Sequence, residues 1–319
     1  MKPVAFDYLA AATLDEAIGS LDGEDTRVLA GGQSLGPMLN LRLATPKRLV
    51  DIGEIAELRR IEDRGDDLFL GAMVTHAAIE DGRDLAEPSR EEDRSLHSRE
   101  SGNPSPASRL RADMDLRLRG RDGRGASWAS TPLGRVLSAV AQGIAYRSVR
   151  NKGTVGGSLA QADPAADWVT VLSALGARAV IAGPQGRREA ALPGFFLGAF
   201  ATDLGPAEII AGVLVPKLSA AARWGYCKLC RKPGEYAEAM AAALLDPPRR
   251  VARIVLGAMP GGPVPLDGLA QRIAMRDAAP ADRTVIAEAV AAAAPELDRV
   301  ALRLQAAAAA RALDQAVGA

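Results

Sequence analysis

The sequence is poor in the side chains that most often carry chemistry. In 319 residues, cysteine occurs only at Cys227 and Cys230, and histidine only at His76 and His97. Two cysteines cannot build a disulfide framework or supply the four thiolates an iron–sulfur cluster usually takes. The lone Cys227-x-x-Cys230 pair lacks the second pair of a zinc site and sits in no thioredoxin-like βαβ pattern. It reads as structural thiols in a strand, in a reducing compartment. Two histidines disfavour a histidine-rich metal site, and a Ser-His-Asp triad would have to rest on one of them. His76 reads as structural and His97 as solvated, so redox or hydrolytic chemistry calls for a bound cofactor. Neither sign of charge dominates, with 39 basic residues against 39 acidic ones. That leaves no electrostatic footprint for nucleic acid or an anionic membrane. No run approaches the ~20 apolar residues of a membrane span, and Asp7 interrupts the stretch where a signal peptide would be apolar. A soluble, cytoplasmic chain is expected.

What is present is enough for a large core. Apolar residues make up 48% and charged ones 24%, the balance of a globular protein, and the length suits roughly two domains at ~100–200 residues each. Thr13-Leu14-Asp15-Glu16 is a capping box that starts a helix ending near Gly19 or Gly23. Thr26–Ala30 then reads as a strand, Gly31-Gly32 as a break, Ser34–Leu43 as a helix and Arg48–Ile52 as a strand, which together make a βαβ unit. Further strands are expected at Leu68–Met73, Ala177–Ala182 and Arg187–Leu192, the last two joined at Gly183-Pro184-Gln185-Gly186. Leu133–Arg150 reads as a helix. Another is expected with Asp163 as N-cap, Pro164 at N1 and Gly176 just past its end, with Trp168, Leu172 and Leu175 on one face. Beyond a boundary near Pro216, strands at Arg223–Leu229 and Arg250–Leu256 precede alanine-rich helices. Domains are expected over 1–57, 58–216 and 217–319.

Periodicity vanishes between Gly82 and Gly125, where Pro, Ser, Arg and Asp dominate. Such a stretch inside a compact domain is either functional or disordered. We read residues 82–127 as an exposed, disordered insertion. A basic docking arm is the alternative, given six arginines against three aspartates between Arg109 and Arg124.

Two glycine motifs are candidates for chemistry. In Ala30-Gly31-Gly32-Gln33-Ser34-Leu35 the glycines permit a tight turn whose amides point inward before a helix, which can bind phosphate without a cationic side chain. Pro37 and Met38 stand where a Walker A loop needs Lys and Ser/Thr, and the Rossmann glycine spacing is absent. An ordinary strand-to-helix turn remains open. The second motif is Gly153-Thr154-Val155-Gly156-Gly157-Ser158-Leu159-Ala160, preceded by Arg150-Asn151-Lys152 and followed by Asp163-Pro164-Ala165-Ala166-Asp167. Its amides and the hydroxyls of Thr154 and Ser158 could hold a second phosphate or a ribose. Asp167 either complements the helix dipole or meets a cofactor.

This pair of motifs, in this order, resembles the FAD-binding medium subunit of the molybdenum hydroxylases, the family of carbon monoxide dehydrogenase and the flavin domains of xanthine dehydrogenases. Asn40–Leu43, Leu49–Ile52, Phe195–Gly198 and Tyr226–Ala237 extend the likeness over nearly the whole chain. The Gly82–Gly125 segment departs from it. The resemblance implies an α+β protein with a two-subdomain FAD-binding fold of the p-cresol methylhydroxylase and vanillyl-alcohol oxidase type, plus a C-terminal α+β domain. It implies FAD as cofactor, its pyrophosphate surrounded by Val28, Leu29, Ala30, Gly31, Gly32, Gln33, Ser34 and Leu35 and by Gly153, Thr154, Gly156, Gly157 and Ser158. Asp163, Asp167 and Lys228 would face the cofactor, and Phe200 would lie beside the isoalloxazine, with plain core packing as its alternative.

The same resemblance implies an electron-transfer subunit with no catalytic residues and no metal of its own. Its partners would be a molybdopterin-binding large subunit and a 2Fe-2S small subunit, in a dimer of heterotrimers, with an external electron acceptor. Alternatives are a stand-alone FAD oxidase, for which His76 is the only base outside the insertion, and a flavin-free scaffold.

Overall fold

The computed structural model describes residues 2–21, 25–83, 127–275 and 282–318. Strand β1 (Asp7–Ala10) leads to helix α1 (Leu14–Gly19). The capping box forms there: Thr13 Oγ1 accepts from the Glu16 amide at 3.2 Å, and Glu16 accepts from the Ala12 amide at 2.8 Å, one residue further back than the usual reciprocal bond. The βαβ unit follows as β2 (Thr26–Leu29), α2 (Leu35–Asn40) and β3 (Arg48–Asp51). Its strands are parallel in the order β1-β3-β2, with Val28 beside Val50.

A second sheet is antiparallel, with the order β4-β5-β10-β6-β7. It contains β4 (Ile61–Arg64), β5 (Asp67–Gly71), β6 (Arg178–Gly183), β7 (Gly186–Ala191) and β10 (Ile209–Pro216). One face packs on the parallel sheet through Val50, Ile52, Phe69, Val180 and Leu214. The other face packs on helices through Leu70, Leu137, Leu159, Trp168 and Leu172. Central β10 has no counterpart among the sequence expectations. Its run Ile-Ile-Ala-Gly-Val-Leu-Val is buried on both faces and shows no alternation to read.

The helical layer comprises α3 (His76–Glu80), α4 (Pro132–Gln142), α5 (Arg147–Arg150), α6 (Val155–Gln161) and α7 (Asp167–Leu175). The single helix expected over Leu133–Arg150 is in fact two, broken where Ala145 takes a positive φ of 43°. Asp163 is not the N-cap of α7. It closes a turn by accepting from the Ala165 amide at 2.9 Å, while Ala166 is the cap and Asp167 the first helical residue. All nine residues of α7 are buried, because the helix lies between the second sheet and a third one, and a helix enclosed on all sides must be apolar all round.

The third sheet is antiparallel in the order β11-β12-β13-β14, with β11 (Arg223–Leu229), β12 (Ala239–Asp246), β13 (Val251–Gly257) and β14 (Val264–Pro265). Helices α8 (Asp267–Ala274), α9 (Arg283–Ala293) and α10 (Arg299–Val317) cover its far face. Strand β12, Ala-Met-Ala-Ala-Ala-Leu-Leu-Asp, was not expected, since alanine and leucine favour helix in isolation. Tertiary packing overrides that preference. Small side chains let α10 approach so closely that a Cβ on Gly225 would lie 1.8 Å from the Ala312 carbonyl oxygen. Between these parts, β8 (Phe196–Gly198) and β9 (Ala201–Thr202) form a short hairpin. Among the described residues no helix is long and apolar enough to cross a membrane.

The expected insertion falls largely on residues 84–126, outside the described ones, but its two roots are described and they meet. Trp128 Nε1 donates to the Arg83 carbonyl at 3.3 Å, and a Cβ on Gly82 would lie 2.8 Å from Ala129 Cβ. Replacing 84–126 with a short Gly/Ser linker is therefore expected to preserve cooperative unfolding. Closing a shorter loop should raise stability by about 2 kcal/mol, three halvings of loop length at ~0.6 kcal/mol each. A lowered thermal midpoint would show that the segment supplies core contacts.

Candidate functional site

The two glycine motifs, far apart in sequence, touch. A Cβ on Gly31 would stand 1.9 Å from the Lys152 carbonyl oxygen and 3.1 Å from Gly153 Cα, so the loops meet backbone to backbone. Gly32 follows with φ +68°, and a Cβ there would meet only Leu29 Cδ1, at 3.4 Å. Val28 and Leu29 end β2 half-buried, and Ala30 begins the turn. Among the described residues the amides of Gly31, Gly32, Gln33, Ser34 and Leu35 donate to no protein acceptor. Gln33 Nε2 bonds the Gly31 carbonyl at 3.1 Å, and Ser34 makes no side-chain cap. Five successive unspent N–H groups in a partly exposed glycine turn are what an anionic oxygen requires.

The second loop is spent differently. The Gly153 amide donates to Val149 O at 2.7 Å, Val155 to Val74 O at 3.0 Å and Gly156 to Ala72 O at 2.9 Å. Thr154 pairs with Thr75 in an antiparallel bridge, and its hydroxyl accepts from the Gly157 amide at 3.1 Å. A Cβ on Gly156 would lie 2.4 Å from Ala72 Cβ, and one on Gly153 would lie 2.9 Å from the His76 ring. These two glycines thus serve packing against the second sheet and α3. Gly157 faces the first loop, its would-be Cβ 3.6 Å from Ala30 Cβ, and Ser158 follows it, half-buried.

Charge fixes this loop from behind. Arg150 bonds both oxygens of Glu80, at 2.7 and 3.1 Å, and the carbonyls of Ile144 and Ala145. Arg147 bonds Glu80 and both oxygens of Asp81. Hydrogen bonds from Arg150 and Arg147 hold the Glu80 carboxyl below its usual range, and Arg147 does the same for Asp81. These residues went unnoticed in the sequence because Arg150 and Glu80 meet only through the fold.

The remaining expected residues gather at the other end of α6, about 10 Å away at 1.5 Å per residue. Ala162 caps α6 in the left-handed conformation, and the Phe200 amide donates to its carbonyl at 2.9 Å. Phe200 itself has φ +58° and is 62% exposed, so it is no core residue. A bulky side chain held at positive φ is strained, and strain of this kind clusters at functional sites. Asp163 lies in the turn just beyond. Asp167, buried, accepts from Lys228 Nζ at 2.9 and 3.2 Å and from the Tyr226 hydroxyl at 2.7 Å. Tyr226 was the sequence-level omission here. Its signal is the period-two spacing with Lys228, which puts both on one face of a strand.

His76 is no exposed base. Its Nδ1 accepts from Trp168 Nε1 at 3.0 Å, and burial, with the charge of Arg150, lowers its pKa to about 4. An unfolded histidine titrates near 6.5, so the unfolded chain takes up the proton first. Stability contributed by His76 is full above about pH 6.5 and is lost as pH falls towards 4, a loss of about 3 kcal/mol at ~1.4 kcal/mol per pKa unit. His76→Gln, which can still accept from Trp168, is expected to flatten this part of the pH dependence of thermal unfolding. An unchanged slope would place the acid sensitivity elsewhere. Cys227 and Cys230 are free thiols, the first buried, and no metal-ligand cluster occurs among the described residues.

The α+β body brings two glycine loops together across a run of unspent amides, with an aromatic side chain and a buried Asp–Lys pair one helix-length away, parts that suit a dinucleotide. Residues 4–218 match the family described as the FAD binding domain in molybdopterin dehydrogenase. The chain belongs to that family, and its cofactor is FAD. It is 34% identical to the carbon monoxide dehydrogenase medium chain of Hydrogenophaga pseudoflava, over 77% of this chain and 70% of that one. It is 32% identical to the nicotine 6-hydroxylase medium subunit of Paenarthrobacter nicotinovorans, over 77% and 71%. The structure superposes on carbon monoxide dehydrogenase from Hydrogenophaga pseudoflava with a TM-score of 0.76 and 27% identity, covering 100% of this chain and 99% of that one. Quinoline 2-oxidoreductase from Pseudomonas putida 86 gives 0.75 and 30%, with the same coverage. The fold expected from the resemblance is the fold observed, and the family is one of oxidoreductases.

Proposed function

We propose that this chain is the FAD-carrying, electron-transfer subunit of a molybdenum-containing hydroxylase, passing electrons from iron–sulfur clusters on a partner chain to an external acceptor. The observation that carries the reading is the run of unspent amides at Gly31–Leu35, closed over by the second glycine loop. FAD supplies the ability to exchange electrons singly with clusters and in pairs with an acceptor, while the protein sets its orientation and potential.

In this reading Val28, Leu29 and Ala30 lead into the turn, Gly31–Leu35 offers the pyrophosphate its amides, and Gly32 and Gly157 leave room for it. Gly153, Thr154, Gly156 and Ser158 form the opposing wall, in which Thr154 is a cap and Ser158 offers its hydroxyl. Asp163, Asp167, Lys228 and Phe200 serve the ring end. Domains run over 1–57, 58–216 and 217–319. Partner chains, a molybdopterin-binding large subunit and a 2Fe-2S small subunit in a dimer of heterotrimers, would supply the ligands that two cysteines cannot. The complex would work in the cytoplasm. A stand-alone oxidase would need a base, and His76 is buried with its Nδ1 occupied.

The test is coexpression of the chain with its genomic neighbours, followed by measurement of flavin, iron, labile sulfide and molybdenum in the purified material. Copurification with an iron–sulfur chain and stoichiometric FAD is the expected result. A flavin-loaded chain that purifies alone and oxidises a substrate would overturn it.

A further inference from the structure

His76 is the one histidine among the described residues, and the flavin reading gives it no part. Its place joins three segments. The His76 backbone amide donates to the Gly153 carbonyl at 2.9 Å, and the neighbouring Thr75 pairs with Thr154. The ring lies so close to Gly153 that a Cβ there would meet Cδ2 and Nε2 at 2.9 Å. Trp168 on α7 sets the ring from the other side, donating from Nε1 to Nδ1 at 3.0 Å. An imidazole that accepts at Nδ1 carries its proton on Nε2 and is neutral. The contact then runs on along the chain, because the carbonyl before Gly153, that of Lys152, is the atom against which Gly31 stands. One residue thus separates the His76 ring from the backbone contact that holds the second loop beside the unspent amides of Gly31–Leu35.

A proton from solvent would undo this arrangement. Imidazolium has an N–H at both nitrogens, so Nδ1 could no longer accept and would face the indole N–H donor to donor. His76 is buried, so water cannot stand in as a partner without the loop moving. The surrounding charges oppose protonation or are already paired. Arg150 on α5 acts against a charged ring, adding to burial, while Arg147 on the same helix is spent on Glu80 and Asp81 at the end of α3. On α4, Arg135 is turned to the Ser130 carbonyl, and on α7, Asp167 is bonded to Lys228 and Tyr226. Glu80 and Asp81 are held below their usual range by their arginines, so those pairs persist in mild acid. The enclosed ring titrates at about 4, whereas a ring freed to water titrates near 6.5. Between these values, opening the loop gains a proton, and acid favours the open form.

We propose that His76 is a positioning residue for the cofactor's diphosphate: its neutral ring, wedged between Trp168 and Gly153, seats the second glycine loop against the first, and protonation unseats that loop and releases the cofactor while the rest of the fold stands. This rests on the flavin reading. It concerns the glycine loops alone and is independent of the ring end of the site.

The experiment uses the flavin-carrying complex, stripped of FAD and titrated with it again at a series of pH values from about 7 to about 4.5, the window in which the freed ring gains its proton. Far-UV circular dichroism is the control for folding. The wild type is expected to lose about tenfold in affinity over that range with an unchanged dichroism spectrum, and to take up more than about half a proton per chain as FAD leaves near pH 5. His76→Gln keeps an acceptor for the indole but no titrating group, so its affinity should stay level across the range. His76→Leu gives the indole N–H no acceptor and should bind about tenfold more weakly than His76→Gln at every pH. The same acid loss in His76→Gln, or a wild-type affinity that is level down to the lowest pH, would overturn the proposal. If His76→Gln fails to fold, the proton count decides, and release near pH 5 with no proton taken up would overturn it. A wild-type complex that takes up no FAD at neutral pH would overturn the flavin reading itself.

Discussion

A chain carrying Gly32→Leu and Gly157→Leu together is expected to fold and to purify with less than about a tenth of its normal FAD, a loss of more than ~1.4 kcal/mol in binding. Both glycines lie where the two loops face each other, and neither would drive its side chain into backbone of the opposing loop. A Cβ on Gly32 would meet only Leu29 Cδ1, and one on Gly157 would meet the Thr154 hydroxyl at 2.8 Å and Ala30 Cβ at 3.6 Å. Leucine at both would fill the space beside the unspent amides of Gly31–Leu35 and cover the donors an anionic oxygen must reach. The fold should bear the change at a cost of about 1–2 kcal/mol for a side chain at φ +68°, with a smaller shift at Thr154. Flavin per folded chain, with far-UV circular dichroism as the control for folding, is the measurement. Normal flavin content in the double variant would remove these glycines from the site.

Gly31→Ala should do something different, because its neighbour is backbone. The added methyl would stand 1.9 Å from Lys152 O and 2.7 Å from its carbonyl carbon, and neither atom can yield unless the loops separate. We expect a loss of about 3 kcal/mol, the upper end of the usual range for overpacking, seen as a thermal midpoint lowered by roughly 6 °C or more. FAD should be lost with it, since the amides face the second loop only while the two are in contact. Gly32→Ala, paying only for its φ, should be the milder of the two in stability. Equal midpoints for the two alanine variants would mean that the loops do not touch as described.

Local chemistry was legible where one short segment settled its own conformation. Thr13 and Glu16 satisfy the amides around the start of α1 from within five residues, Ala12–Glu16. The Gly183–Gly186 turn joins strands that pair with their immediate neighbour. Thr26–Ile52 carries a strand, a break and a helix in an order that folds into a parallel unit. The two glycine motifs stood out for the same reason, since glycine marks the places where a backbone must turn or touch. Scarcity of cysteine and histidine likewise pointed towards a bound cofactor.

The sequence could not say how those parts use one another. Strands β10 and β12 escaped notice because enclosure on both faces removes the alternation by which a strand is read, and in β12 the need for close approach by α10 selects alanines that alone would favour a helix. Asp163 lost the cap to Ala166 because a cap is fixed by which amide is within reach: Asp163 accepts from the Ala165 amide, and the turn at Pro164 delays the helix by three residues. The division of labour in the site was also tertiary. Both loops have glycines and hydroxyls before a helix, but Ala72, Val74 and Val149 consume the amides of the second and leave those of the first free. By itself the sequence determined which segments turn, which strands pair locally and that a bound cofactor is needed. Only the tertiary structure decided which donors remain unspent and which carboxylate meets Lys228, because both depend on partners that the chain brings together from positions tens of residues apart.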